Sequence, residues 1–133
     1  MSKEHPIMQQ MRLTLGALTH VRAFRNNNGQ AWYGLRRHNQ DGTTTIYNAK
    51  PITFGLCPGS ADLIGLTSIV ITPEMVGRRV AVFTSIEAKG EHTPIQPGQP
   101  EWAHMVDYMG GLSGFARTPE EAVEIVEKWK EWK

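Results

Sequence analysis

The sequence predicts a mixed α/β fold in which a central mixed sheet is flanked by helices. Two observations support this fold class. Apolar residues recur at helical spacing in three separate segments, and β-prone runs bounded by turn residues lie between those segments. The 133 residues suffice for an apolar core, so we expect residues 1–133 to form a single domain.

The first half of the chain predicts one helix followed by strands. The helix is indicated by an apolar stripe at helical spacing, which consists of Met8, Met11, Leu15 and Leu18. Pro6 suits its first turn, where a missing N–H does no harm. The segment "HVRAF" is typical of a short strand and "RNNNGQ" of a turn. In residues 30–55, "DGTTTIYNAKPITFG" combines a turn signal with a β-prone run, which predicts a hairpin or an exposed strand pair.

The second half predicts two further strands that we expect to pair with each other. They are "ADLIGLTSIVI", with an interruption near Gly65, and "VAVFTSIEAK". The next helix follows from the spacing of Trp102, Met105, Val106 and Met109, and it should end at the glycines 110 and 111. "LSGFAR" is typical of a short last strand.

A capping box of Thr118 and Glu121, with Pro119 at the first helical position, predicts the start of the closing helix. Its apolar stripe consists of Ala122, Ile125, Val126, Trp129 and Trp132. We interpret the two tryptophans as core or dimer contacts.

Composition is that of an ordinary globular protein, with 40% hydrophobic and 20% charged residues. No apolar run reaches the length of about 20 residues that a membrane span needs. The N-terminus lacks the features of a signal peptide, and the single cysteine, Cys57, cannot form an internal disulfide. We therefore expect a cytoplasmic protein without a membrane partner. Residues 1–60 carry a net charge of +5 and residues 61–133 carry −4, which permits a basic face for a polyanion.

The chemistry is suggested by the end of "VAVFTSIEAK". Strand side chains alternate, so Glu87 and Lys89 should share one face. Charges at the end of a buried strand cost desolvation free energy unless they are used. If the two predicted strands are antiparallel neighbours, Asp62 at the start of the first meets Glu87 at the end of the second. Two converging carboxylates favour a hard divalent cation, and the Ala88 carbonyl offers another oxygen.

Such a centre is suited to metal-assisted phosphodiester hydrolysis, with Lys89 orienting a water or stabilising charge on the phosphate. An isolated Glu-x-Lys is also compatible with a surface ion pair at a frayed strand end. The histidines of the chain show no compact metal-ligand spacing.

An Asp followed after a gap by Glu-x-Lys is the signature of the PD-(D/E)XK nuclease superfamily. The chain resembles its virus-type replication-repair nuclease (VRR-NUC) branch, in the small stand-alone form of phages and bacteria. The resemblance extends over "FRNNNGQAW", "GLCPGSADLIG", "FTSIEAK", "GQPEWAHMVDYMGG" and "GFARTPEEA". Ala61 stands where the superfamily name has its proline, a variation that leaves the ligands intact. The resemblance implies a restriction-endonuclease-like fold.

Carried over residue by residue, the resemblance implies that Asp62, Glu87 and the Ala88 carbonyl bind Mg²⁺, with Mn²⁺ able to substitute. Lys89 would assist the attacking water. Gln99 matches the glutamine that opens the following helix, where it would bind Lys89 or the water; its alternative role is helix initiation. Glu4 matches an acid of the first helix that completes the metal site, and its alternative role is favourable interaction with the helix dipole.

We assign DNA binding to the basic first half of the chain. The candidate residues are Arg25, Asn26, Asn27, Asn28, Arg36, Arg37 and Lys50. Trp32 and Tyr33 are candidates for stacking on unpaired bases.

The expected function is a Mg²⁺-dependent DNA endonuclease. The resemblance implies branched DNA of the Holliday-junction type as substrate and a homodimer as the active form. One alternative is the same chemistry on flaps, nicks or linear duplex. Another is a DNA-binding module without catalysis.

Overall fold

The computed structural model describes residues 4–133, with side chains from residue 6 onward. The described elements, in chain order, are α1 (Glu4–Gly16), β1 (Val21–Arg25), β2 (Gly29–His38), β3 (Thr44–Phe54), β4 (Leu63–Thr67), β5 (Thr84–Ala88), α2 (Gln99–Tyr108), β6 (Leu112–Ala116) and α3 (Pro119–Glu127). The mixed α/β class is confirmed. No described helix combines the length and the apolar character that crossing a membrane would require.

The chain divides into two compact units. One, here called the hairpin unit, is Phe24–Ile64; the other, here called the helical unit, is the chain up to Ala23 together with Gly65–Lys133. The boundaries fall within β1 and β4. Whether both units belong to one domain stays a prediction.

In the hairpin unit, β2 and β3 form the antiparallel hairpin that the sequence predicts. The register changes between Tyr33 and Leu35, where Gly34 lies opposite the extra residue of a bulge in β3. A Cβ at Gly34 would lie 2.4 Å from the Tyr47 carbonyl oxygen, so only glycine fits there. At the tip, the Asp41 carboxylate accepts hydrogen bonds from the backbone N–H and the hydroxyl of Thr43.

The described strands form three two-stranded sheets, β1–β4, β2–β3 and β5–β6, where we expected one central sheet. The expected pairing of β4 with β5 is therefore wrong. β5 pairs with β6 in parallel, as the intervening helix α2 allows. The predicted interruption at Gly65 is also wrong, because β4 continues through it. A Cβ there would lie 1.9 Å from the Arg22 carbonyl oxygen, so the glycine permits close approach of the backbones.

In the helical unit, α2 and α3 pack on β5 and β6. The buried apolar side chains at this contact are Val106, Met109, Leu112, Ala116 and Ile125. The predicted cap of α3 is confirmed, since the Thr118 hydroxyl oxygen accepts a hydrogen bond from the Glu121 N–H. The chain continues beyond α3 as a short 3₁₀ turn, which leaves Trp129 and Trp132 about half exposed.

Candidate active site

The end of β5 carries the predicted acid and lysine. The two side chains lie on the same face, as alternation requires, and Lys89 Nζ is 3.6 Å from Glu87 Oε1. The Lys89 side chain is only 5% exposed, whereas that of Glu87 is 44% exposed. A buried ammonium is costly unless it is paired. The pair therefore combines a buried ammonium with a carboxylate that solvent can reach.

Gln99 fixes the orientation of this carboxylate. Its Nε2 donates a hydrogen bond to Glu87 Oε1 over 2.7 Å, and its Oε1 accepts one from the Gln96 N–H, also over 2.7 Å. Gly98, with a φ of 87°, directs the chain into α2 at this point. The Gln99 amide thus contacts Glu87, a partner that the sequence did not predict, and its contact with the attacking water stays a prediction. The alternative role in helix initiation also holds, because the Gln96 contact closes the turn before α2.

A cavity of about 290 Å³ lies beside the carboxylate. Its lining includes Ser85, Glu87, Gln99, Trp102 and Phe115. Trp102 Nε1 donates a hydrogen bond of 2.7 Å to Ser85 Oγ, which joins α2 to β5 across the cavity wall. The sequence placed Trp102 on the inward stripe of α2 but gave no sign of this contact. The cavity can therefore admit a small polar group next to Glu87.

The Ala88 carbonyl points away from β6. The Lys89 N–H donates to the Ala116 carbonyl and the Phe83 carbonyl accepts from the Leu112 N–H, so residues 83 and 89 direct their backbone groups towards β6. Successive residues of a strand alternate in this respect. The Ala88 oxygen is thus turned to the edge of β5 opposite β6, and its role as a metal ligand stays a prediction.

Glu87 and Ala88 each offer an oxygen atom of the kind that a hard cation takes as a ligand. Gln99 and Lys89 both approach Glu87 Oε1, and the described residues place no hydrogen-bond donor on Oε2. A carboxylate oxygen and a backbone carbonyl are ligands that Mg²⁺ accepts together with water. Among the side chains that the structure describes, no group of three or more His, Cys, Asp and Glu surrounds a common point. Glu87 and Ala88 would then need waters or substrate oxygens to complete the coordination.

Asp62 belongs to the hairpin unit, where it is exposed and directly precedes β4. Its backbone carbonyl accepts a hydrogen bond of 2.8 Å from the Asn26 N–H. The loop of residues 55–61 leads into this position. Asp62 is thus held through its backbone while its side chain reaches solvent.

Asn26 has a role that sequence reasoning missed. The prediction that it binds DNA is wrong, because the side chain is buried and its amide donates to Ser60 Oγ over 2.8 Å and to the Ala61 carbonyl over 2.9 Å. Its Oδ1 accepts from the Leu56 N–H over 3.2 Å. Asn26 therefore ties down the loop that presents Asp62. Nothing in the "RNNNG" segment distinguishes the buried asparagine from its neighbours.

The other candidate DNA ligands lie on the surface of the hairpin unit. Arg25, Arg36, Arg37 and Lys50 are exposed, as are Asn27 and Asn28. The Asn28 amide donates to Ser60 Oγ over 2.7 Å, so part of its capacity is used within the unit. These positions permit contact with a polyanion. The side chain of Glu4, a candidate ligand, lies outside the described residues.

Comparison with protein-family models, with curated proteins and with solved structures finds no match to this chain.

Proposed function

We propose that this protein is a Mg²⁺-dependent DNA endonuclease of VRR-NUC type with a restriction-endonuclease-like fold. One observation carries the proposal: the buried Lys89 ammonium lies 3.6 Å from the solvent-accessible Glu87 carboxylate, which Gln99 holds in place. A purely structural pair would gain little from such unequal exposure, because burying the ammonium is costly. A hydrolytic site gains a positioned positive charge.

Each residue of the pair has a separate task in this proposal. Glu87 would hold the cation through its carboxylate, whose rotation Gln99 restrains. Lys89 places its ammonium beside the carboxylate, where it orients the attacking water or stabilises negative charge developing on the phosphate. Positive charge held in a low-dielectric site stabilises such charge more than it would in water.

Glu87 and the Ala88 carbonyl would hold the cation, and Asp62 is proposed as the third ligand by the resemblance. Bound Mg²⁺ supplies Lewis-acid polarisation of the phosphate and a lower pKa for the attacking water. Mn²⁺ presents similar ligand preferences and should substitute.

The proposal includes branched DNA as substrate and a homodimer as the active form, working in the cytoplasm, where Cys57 stays reduced. The exposed cations of the hairpin unit support a polyanionic substrate. The half-exposed Trp129 and Trp132 support a subunit contact, since large aromatic side chains contribute strongly to interfaces. Sedimentation of the wild type against Trp129→Ala tests the dimer directly.

The decisive experiment incubates the purified protein with labelled four-way junction, flap, nicked and linear duplex DNA, with and without Mg²⁺. We expect cleavage only with the metal and preferentially at the junction. Glu87→Gln, Lys89→Met and Asp62→Asn should each lower the rate on the order of 10²- to 10⁴-fold.

Matched control variants distinguish the removal of any charged side chain from the removal of one in the active site. Glu91 is almost fully exposed just beyond β5, so Glu91→Gln should cut like the wild type. Lys130 pairs with Glu127 at the surface, and Lys130→Met should likewise be active. Wild-type rates in Glu87→Gln and Lys89→Met would refute the site. DNA binding without cleavage under any metal would support a binding module instead.

A further inference from the structure

The hairpin unit presents two faces that differ in composition. Opposite residues of an antiparallel pair share a face, and alternate residues of β2 do so too. One face, here called the tyrosine face, contains Tyr33, Leu35 and Arg37 from β2 together with Tyr47, Lys50 and Ile52 from β3. Trp32 lies on the opposite face, paired with Pro51. Trp32 and Tyr33, the two candidates for stacking on unpaired bases, therefore lie on opposite faces of the hairpin.

The tyrosine face leaves its aromatic and apolar side chains in solvent. Tyr33 is 55% exposed, Tyr47 is 44% exposed and Leu35 is 71% exposed. Exposed apolar residues gathered on one surface are typical of a binding site. Cationic side chains alternate with these apolar ones, which indicates a negatively charged ligand.

Positive charge is interleaved with the rings. Lys50 lies directly opposite Tyr33 in the ladder, and the Arg37 guanidinium lies 5.6 Å from the centre of the Tyr47 ring. The hairpin has one acid, Asp41, and it is engaged by Thr43 at the tip. Phosphates following this face would therefore meet cations and no carboxylate.

We infer that the tyrosine face binds single-stranded DNA, with bases stacked on Tyr33 and Tyr47 and phosphates held by Lys50 and Arg37. Unpaired bases expose their faces, whereas bases within a duplex are already stacked. From residue 31 to residue 37 the face is about 20 Å long at about 3.4 Å per residue, enough for several nucleotides. The inference deepens the proposed function, on which its DNA substrate rests, by assigning recognition of an unpaired segment to the hairpin unit.

Binding is measured by fluorescence anisotropy of the full chain with a labelled oligothymidine of about 12 nucleotides, without Mg²⁺. Tyr33→Leu keeps apolar bulk on the hairpin but removes the ring, and it should weaken binding roughly 5- to 100-fold. Tyr47→Ala tests the second ring, and Tyr33→Phe should retain the affinity. The matched control is Tyr108→Ala, which removes an exposed tyrosine ring from α2 and should leave the affinity unchanged. Trp32→Ala decides between the two faces of the hairpin, since it should weaken binding less than Tyr33→Leu.

Salt dependence tests the cations separately. Each phosphate contact to a single strand contributes about −0.7 to the slope of log K against log salt concentration. Arg37→Gln and Lys50→Gln should each make this negative slope shallower by about 0.7. Lys130→Gln in the helical unit should leave the slope unchanged. Circular dichroism of every variant checks that the fold is retained.

Three outcomes would overturn the inference. One is a preference for linear duplex over oligothymidine, and another is equal loss of affinity in Trp32→Ala and Tyr33→Leu. The third is loss of self-association in Tyr33→Leu with unchanged DNA binding, which would make the face a contact with a second copy. Because binding is read without metal, failure of the chain to cleave DNA leaves this result interpretable.

Discussion

Replacing Glu87 by glutamine should destabilise the protein far more than replacing Lys89 by methionine. Glu87→Gln removes the negative charge while the Lys89 ammonium, 5% exposed, stays buried. Lys89→Met removes the buried charge itself and leaves a carboxylate that is 44% exposed and still accepts a hydrogen bond from Gln99. Removing one partner of a buried pair is costly chiefly through the charge that remains.

The separation of the charges sets the size of the effect. At 3.6 Å the Coulomb attraction is about 5 kcal/mol for an effective dielectric constant of about 20, and about 1 kcal/mol in bulk water. Because solvent reaches Glu87, we expect an intermediate loss of about 2–3 kcal/mol in the free energy of unfolding for Glu87→Gln. Lys89→Met should change it by less than about 1 kcal/mol.

Urea unfolding followed by tryptophan fluorescence measures both changes, and the double variant completes the cycle. Adding Lys89→Met to Glu87→Gln should restore most of the stability that Glu87→Gln alone loses. Equal destabilisation by the two single variants would refute the reasoning, because the cost would then come from packing and not from an unpaired buried charge. Both variants should nevertheless cleave DNA far more slowly than the wild type, which separates the role of the pair in stability from its role in catalysis.

Other parts of the chain give predictions of the same kind. Asn26→Ala should cost about 1–3 kcal/mol in urea unfolding because buried partners are left unpaired, whereas the exposed neighbour in Asn27→Ala should change stability by less than about 0.5 kcal/mol. Gly65→Ala should cost more than about 1 kcal/mol and speed amide hydrogen exchange in β1 and β4, since its methyl group would meet a carbonyl oxygen of the facing strand; unchanged exchange would contradict this. The Thr43 hydroxyl, and then its N–H, lower the pKa of Asp41 below 3.8. The stabilisation of the tip is therefore complete above about pH 4 and lost as the pH falls through the lowered pKa, which exchange of the Thr43 amide should report.

The sequence was informative wherever structure depends on neighbours along the chain. The cap at Thr118, the hairpin over residues 30–55 and the common face of Glu87 and Lys89 all follow from local spacing. The parallel pairing of β5 with β6 was also within reach, because a strand, a helix and a strand in succession favour a parallel pair. The short polar connection "TPEMVGRR" between the two β-prone runs instead favoured pairing of β5 with β4.

Contacts between distant residues could not be predicted in this way. A glutamine at the start of a helix can bond many different groups, and its position in the sequence does not say which. Only the tertiary structure selects Glu87 as the partner of Gln99. Asn26 and Ser60 are 34 residues apart, and their hydrogen bond depends on the return of β4 beside β1. Burial of an asparagine within a polar segment leaves no periodic signal.

Near its end, at Asp62, the hairpin unit returns beside Asn26, close to its beginning. This proximity affects how the hairpin unit can vary. Asn26 and Asp62 are joined by a backbone hydrogen bond of 2.8 Å, so the intervening segment begins and ends at adjacent points of the backbone. The hairpin of β2 and β3 can be shortened, lengthened or exchanged as long as Asn26 keeps its hydrogen bonds to the loop of residues 55–61. Grafting another hairpin in place of residues 29–54 would then retain the path of the chain into Asp62 while changing the surface offered to a ligand.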